Sequence, residues 1–310
     1  MIEQTTENGI LNKIFSSKEE SNVGSEIKNR SLWADAWYRL RQDKLALTCL
    51  IIVVAYSVVA ILSALGLVAA DWAKEVGPSY AAPSSDYWLG TDIFGRSVAK
   101  KVIHGTQVAM SVGLVSSLIA IPIGVSLGAT AGYFGGKIDE LIVWFYTTFS
   151  SIPGIMLLMS IAFILGKGIT TVYIALGLTS WVGLCRLIRG EVLKHKDREY
   201  VQAANAIGAG HARKLIKHIL PNVTHIIIIN TSLQFQIAIK SEVILSYLGL
   251  GVSGQPSWGT MIDDAKLELA RDVWWQLAGA TLAMFVVVLA FNILGDALRD
   301  ALDPKLKGKS

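Results

Sequence analysis

The chain has 310 residues, 52% of them hydrophobic and only 17% charged, with a formal net charge of +4. Its several apolar runs of about 18 residues or more exclude an ordinary soluble domain and read as an integral membrane protein. Nothing in so small a net charge points to a nucleic-acid partner. Cys49 and Cys185 lie in or at the end of apolar runs, without CxxC spacing or a nearby His cluster. They read as packing residues, with no disulfide or metal.

In chain order, residues 1–30 are polar and aperiodic and read as a flexible cytoplasmic tail. Residues 31–44 set aromatics and aliphatics at helical spacing with Arg39, Arg41 and Lys44 among them. This predicts an amphipathic interfacial helix against membrane lipid. Six transmembrane helices follow, over 45–67, 108–132, 141–165, 169–185, 223–248 and 277–294. The first is too long for a signal-peptide core and follows too long a tail, so it reads as an uncleaved span. Pro122 and Pro153 fall near the centres of the second and third spans and predict kinks there.

Charge sets the orientation. Segments 1–44, 133–140, 186–222 and 295–310 carry twenty Lys and Arg; segments 68–107, 166–168 and 249–276 carry seven, and Lys240 lies in a span. The excess belongs inside, which puts both termini in the cytoplasm. Trp72, Trp88, Trp181, Trp274 and Trp275 read mostly as aromatic anchors at the outer interface.

The loop 186–222 is the most basic, with Arg186, Arg189, Lys194, Lys196, Arg198, Arg213, Lys214 and Lys217 against Glu191, Asp197 and Glu199. Asp197 suits a helix cap and Glu199 the positive end of the helix dipole. A helix over 200–207, small at Ala203, Ala204 and Ala206, ends at Gly208 or Gly210. A second, basic helix over 211–219 leads to Pro221. Small residues let another surface approach closely. The pattern alone equally fits a solvated loop whose charges only fix topology.

The fifth span is unusually polar, with Asn230, Thr231, Ser232, Gln234, Gln236, Lys240, Ser241 and Glu242. At about 100° per residue, Asn230, Gln234 and Ser241 share a face, with Thr231 and Glu242 at its edge. Such groups line a translocation path or bond between helices. Asp263, Asp264, Glu268 and Asp272 read as a solvated acidic face rather than a metal site.

From Tyr200 to Asn222 the chain resembles the coupling loop of ABC-importer permeases: Gln202-Ala203-Ala204, then Gly208, then His218, Leu220 and Pro221 at the family's spacing. Gln202 stands where the family has an acid, and His218 where it has Ile, although His is usual in the peptide and nickel branch. Residues 88–113, 245–265 and 289–304 resemble further segments of that branch, and the long N-terminal tail favours its C-type subunit. Ser97 and Gln107 depart from the usual Asp and Arg.

The resemblance implies an all-α polytopic membrane protein of type I ABC-importer permease architecture, with a permease domain over 45–306, its coupling loop at 186–222 and a short tail at 307–310. It implies a bacterial inner-membrane location, a homologous B-type permease, two ABC ATPases and an external solute-binding protein as partners. The outer segments 71–107 and 249–275 would receive the binding protein or pack on the partner permease. Gln202, Ala203, Ala204, Gly208, Arg213, Lys214, Leu220 and Pro221 are expected to couple to the ATPases. Asn230, Thr231, Gln234, Ser241 and Glu242 are expected along the path. The chain has no phosphate-binding loop, since Gly136-Lys137 and Gly166-Lys167 both lack the earlier glycine. It is therefore read as a non-enzyme that binds no cofactor, with ATP and Mg held by its partners. The cargo is a di- or oligopeptide, a nickel complex or a related small solute. The alternative is a self-sufficient channel or ion-coupled secondary transporter.

Overall fold

The computed structural model describes residues 37–302, apart from Arg39. The predicted tails 1–30 and 307–310, and half of the interfacial helix 31–44 (31–36 and 39), lie outside the described residues. Among the described residues the regular structure is helical, with only two isolated bridges, Glu75 to Arg96 and Thr91 to Ser97.

Helix α1 spans Lys44–Ala64 and α2 Val98–Phe134; α3 (Gly136–Ser150) and α4 (Gly154–Leu165) follow, then α5 (Ile169–Thr179) and α6 (Trp181–His195). Two short helices, α7 (Glu199–Ala206) and α8 (His211–Arg213), lead through a π-helical turn, Lys214–Ile219, into α9 (Leu220–Tyr247). The described helices end with α10 (Trp258–Leu269) and α11 (Trp275–Leu302).

Four helical segments are long and apolar enough to cross a membrane: α1, α2, α5 with α6, and α11. The pair α3–α4 passes the same test together but is bent by 83°. Pro153 is the physical cause. Its φ is fixed and it offers no N–H, so α3 closes at Ser151 and α4 restarts at Gly154. The expected third span is thus two short helices. Pro122, by contrast, sits inside α2 without ending it. Helix α9 matches α11 at 28 residues, but its polar side chains leave it outside this apolar set.

Helix α2 is the central element. Its 37 residues extend about 55 Å, well beyond the roughly 30 Å hydrocarbon layer. It starts at Val98 because Ser97 caps it, accepting from the Lys100 N–H at 3.5 Å. Gln107 Oε1 accepts from Ser63 Oγ at 2.9 Å and ties α2 to α1. Facing outward, α1, α4 and α11 expose Ile51, Val58, Ile61, Phe163, Ile164, Leu282 and Phe285, a surface suited to hydrocarbon. Cys49 and Cys185 are buried free thiols. Of the expected interface anchors, Trp88 and Trp274 are exposed. Trp181 is buried against Phe145, and Trp275 is buried with its Nε1 donating to Thr91 O at 2.9 Å.

Gly124, Gly128 and Gly132 recur every fourth residue on the α2 face that meets α6. An added Cβ would stand 2.8 Å from Trp181 O, 2.5 Å from Cys185 O and 2.6 Å from Arg189 O, respectively. Only glycine admits backbone contact this close. Gly128→Leu is expected to destabilise the bundle by about 1–3 kcal/mol or more through overpacking. Gly190→Ala, whose Cβ meets nothing within 4 Å, should not. Thermal unfolding of both variants in detergent checks this; an unchanged midpoint for Gly128→Leu would contradict the contact.

Candidate functional site

The basic loop is built on the ends of α2, α6 and α9. Val201 packs with Ile188, Val192, Ile219 and Val223 in one buried cluster, which fixes α7 against the bundle. Ala204 is buried, while Gln202 and Ala203 are exposed. Gly208 takes φ +78, a left-handed conformation that turns the chain out of α7, and nothing lies within 4 Å of its added Cβ. Gly210 then forms the cap of α8. Arg213 is exposed, Leu220 is half-buried at the start of α9, and Pro221 is exposed in its first turn.

Two expectations change here. The cap of α7 is Arg198, without a side-chain bond, and not Asp197. Instead the Asp197 carbonyl accepts from Gln202 Nε2 at 3.0 Å, so Gln202 is folded back on its own loop. Lys214 is buried rather than displayed, and its Nζ donates to Asn205 Oδ1 at 2.9 Å, pinning α7 to the π-helical turn. Ile207 escaped the sequence reasoning. It is 84% exposed at the tip, an apolar knob marked only by its place between Ala206 and Gly208. A cavity of about 530 Å³ opens between the end of α2 and this loop, lined by Tyr133, Phe134, Lys196, Asp197, Val201, Gln202, Asn205, His211 and Lys214. Above it, Arg189 pairs through two nitrogens with the Asp139 carboxylate, the second contact at 2.6 Å, and locks α6 to α3.

The polar residues of α9 separate. Asn230 and Gln234 together line a cavity of about 160 Å³ with Ala120 and Ile121 of α2 and Ser180 at the head of α6. Asn230 Nδ2 also donates to Ile226 O at 3.0 Å, and Thr231 bonds within the helix to Ile227 O at 2.8 Å. Ser241 is half-buried and outside that cavity's lining. Glu242 is fully buried: its Oε1 accepts from Ser246 Oγ at 2.7 Å, and Ser246 Oγ accepts from the Val252 N–H at 3.1 Å. It thereby anchors the turn after α9. Lys240, two residues earlier, is exposed.

At the opposite end of the bundle from the loop, Asp92 is the hub. One oxygen accepts from the Phe94 and Arg96 N–H groups at 2.9 Å; the other meets Arg96 and the buried Lys101 Nζ, the latter at 3.0 Å. Burial pushes the Asp92 carboxyl up, but Lys101 and Arg96 outweigh it and hold the group below its ordinary value. Lys101 also donates to Gln276 Oε1 at 2.8 Å on α11. Glu268, expected on a solvated acidic face, is 3% exposed. Among the described residues no group of acids, His or Cys is placed to hold a metal.

A helical bundle with apolar outer faces, a broken span and a basic loop at one end defines a multi-pass membrane protein. Residues 120–308 match the family described as binding-protein-dependent transport system inner membrane component, and residues 31–79 match the N-terminal TM domain of oligopeptide transport permease C. The chain belongs to this permease family. It is 35% identical over 294 residues to the dipeptide transport system permease protein DppC of Bacillus subtilis, covering 94% of this chain and 92% of the relative. The oligopeptide transport system permease protein OppC of the same organism is 36% identical, with 90% and 92% covered. The glutathione transport system permease protein GsiD of Pectobacterium atrosepticum is 33% identical, with 90% and 93% covered.

Burial pushes the Glu268 carboxyl from 4.5 up to about 7; Lys101 opposes the rise, and Asp264 and Asp92 add to it. Between those values the folded chain holds a proton that the unfolded chain has released, so stability falls as pH rises through the window. Glu268→Gln is expected to flatten this loss. The check is the thermal midpoint of detergent-purified protein at about pH 5 and about pH 8. Equal pH dependence in both proteins would contradict the assignment.

Proposed function

We propose that this chain forms half of the translocation path of an ATP-driven importer of di- or oligopeptides or a related small solute, with nickel complexes within that range. The relatives named for dipeptide, oligopeptide and glutathione transport support this cargo class. The chain crosses the membrane six times, with α3–α4 and α9 among the crossings and both termini in the cytoplasm. The charge bias supports this orientation. A homologous permease completes the path, an external binding protein delivers the solute, and two cytoplasmic ATPases hold the ATP and Mg.

The carrying observation is the outward presentation of Ala203 and Ile207 from a loop packed on α2, α6 and α9. An ATPase that docks there moves the ends of those three helices together. Arg213, Lys214, Leu220 and Pro221 carry that movement into α9, where Asn230 and Gln234 face the cavity beside α2 and α6. Nucleotide then shifts the bundle between inward- and outward-open states by its differential affinity for the two. Thr231, Ser241 and Glu242 belong to the same helix and follow its motion.

Because Gly208 takes a left-handed φ, Gly208→Val strains the turn, while the added Cβ meets nothing within 4 Å. Membrane insertion should persist, while ATP-driven uptake falls about tenfold or more, as a loss of about 1.4 kcal/mol in coupling requires. Full uptake by this variant would contradict the docking role. A cysteine series over 230–242 tests the path separately. Reagent access at positions 230 and 234 should change between resting and ATP-trapped transporter; uniform protection in both states would remove the path assignment. Uptake by the purified chain alone would instead establish the self-sufficient channel or carrier.

A further inference from the structure

The cavity beside the basic loop has an electrostatic character that docking by small residues leaves unused. Lys214 is 7% exposed, and its ammonium, with three protons to donate, meets one acceptor among the described residues, Asn205 Oδ1. Lys196 lines the same cavity and forms no ion pair among the described residues. Against these two ammonium groups the lining offers a single carboxylate, Asp197. Gln202, on the cavity wall, is neutral, and its amide N–H is committed to the Asp197 carbonyl. His211 is held in place through Nδ1 and the Tyr133 hydroxyl at 2.9 Å.

An ammonium that faces an open cavity with donors to spare is ready to exchange water for a carboxylate, and that charge-assisted bond is the strongest it can form. At about 530 Å³ the cavity has room for a side chain entering from outside. We propose that it is a socket for an Asp or Glu side chain of the docked ATPase, held by Lys196 and Lys214. The loop is then a cationic receptor for an acidic partner surface as well as a small-residue plug. This inference rests on the reading that an ATPase docks on the loop.

Gln202→Glu tests it directly, because the variant sets a carboxylate on the cavity wall, where it repels the Asp197 carbonyl and competes for the ammonium groups. Gln202→Ala loses the same amide bond without adding charge and serves as the control. The assembled permease pair is placed in phosphatidylcholine nanodiscs and titrated with the ATPase subunits of the same transporter at low and high salt. Wild type should bind, more weakly at high salt. Gln202→Glu should bind about tenfold more weakly than Gln202→Ala at low salt, the loss of one charge-assisted hydrogen bond. Lys196→Gln should weaken binding in the same direction and reduce its salt dependence. If wild type binds but Gln202→Glu binds as Gln202→Ala does, or more tightly, the socket is overturned while docking stands. If wild type binds no ATPase, the docking reading itself fails and the socket with it. An effect that appears only in discs containing phosphatidylglycerol also overturns the proposal, since an anionic headgroup would then be the occupant.

Discussion

The close approach of α2 and α6 is the constraint on which the rest of the structure depends. Three glycines, Gly124, Gly128 and Gly132, bring the α2 backbone against the carbonyl groups of Trp181, Cys185 and Arg189. Dispersion and backbone contact, rather than hydrophobic burial, must hold such a pair in lipid, and only glycines allow it. Two things follow from that contact. Arg189 is delivered to Asp139, so α3 is carried with α6. The end of α6 is also set beside the end of α2, and those two ends with α9 form the seat on which α7 rests. The loop is therefore rigidly joined to the helices whose other faces meet the Asn230–Gln234 cavity.

Charge is used differently at the two ends. Opposite the loop, Asp92, Lys101, Arg96 and Gln276 satisfy one another and tie the segment before α2 to α11. Breaking a buried pair of this kind typically costs about 3–5 kcal/mol, because one charge is left behind without a partner. At the loop, by contrast, cations outnumber acids and several have no ion-pair partner among the described residues. Exposed pairs contribute little to stability, so such a surplus serves orientation in the membrane or a partner rather than folding. The polar groups of α9 divide in the same manner: Asn230 and Gln234 face a cavity, while Glu242 is spent inside on Ser246 and the turn it holds.

Much of the fold was legible in the sequence because long apolar runs and their punctuation are local signals. The first, second, fourth and last predicted spans correspond to α1, α2, α5 with α6, and α11, and the break at Pro153 follows from proline chemistry. The two-helix loop and its Gly208 turn were legible for the same reason. What failed depends on tertiary partners. Asp197 has the right chemistry for a cap, but Gln202 takes its carbonyl and Arg198 takes the cap position. Glu268 and its acidic neighbours look solvated in a helix rich in charge, yet the fold turns Glu268 inward toward Lys101. Periodicity put Glu242 at the edge of a polar face; the Ser246 hydroxyl, one turn along the helix, draws it into the core. Lys214, one cation among eight by sequence, became distinct only through its burial.

The proposed coupling depends on physical contact between the exposed face of α7 and an ATPase. Ala203 is exposed there, and the native Cys49 and Cys185 are buried, so a single cysteine at 203 offers a clean cross-linking probe. In the assembled transporter, with cysteines scanned over the ATPase surface, position 203 should form a disulfide with a localised set of positions. The bond should form at a rate that changes when ATP is bound. A transporter that imports solute with ATP yet gives no cross-link from position 203 in either state would contradict the central claim.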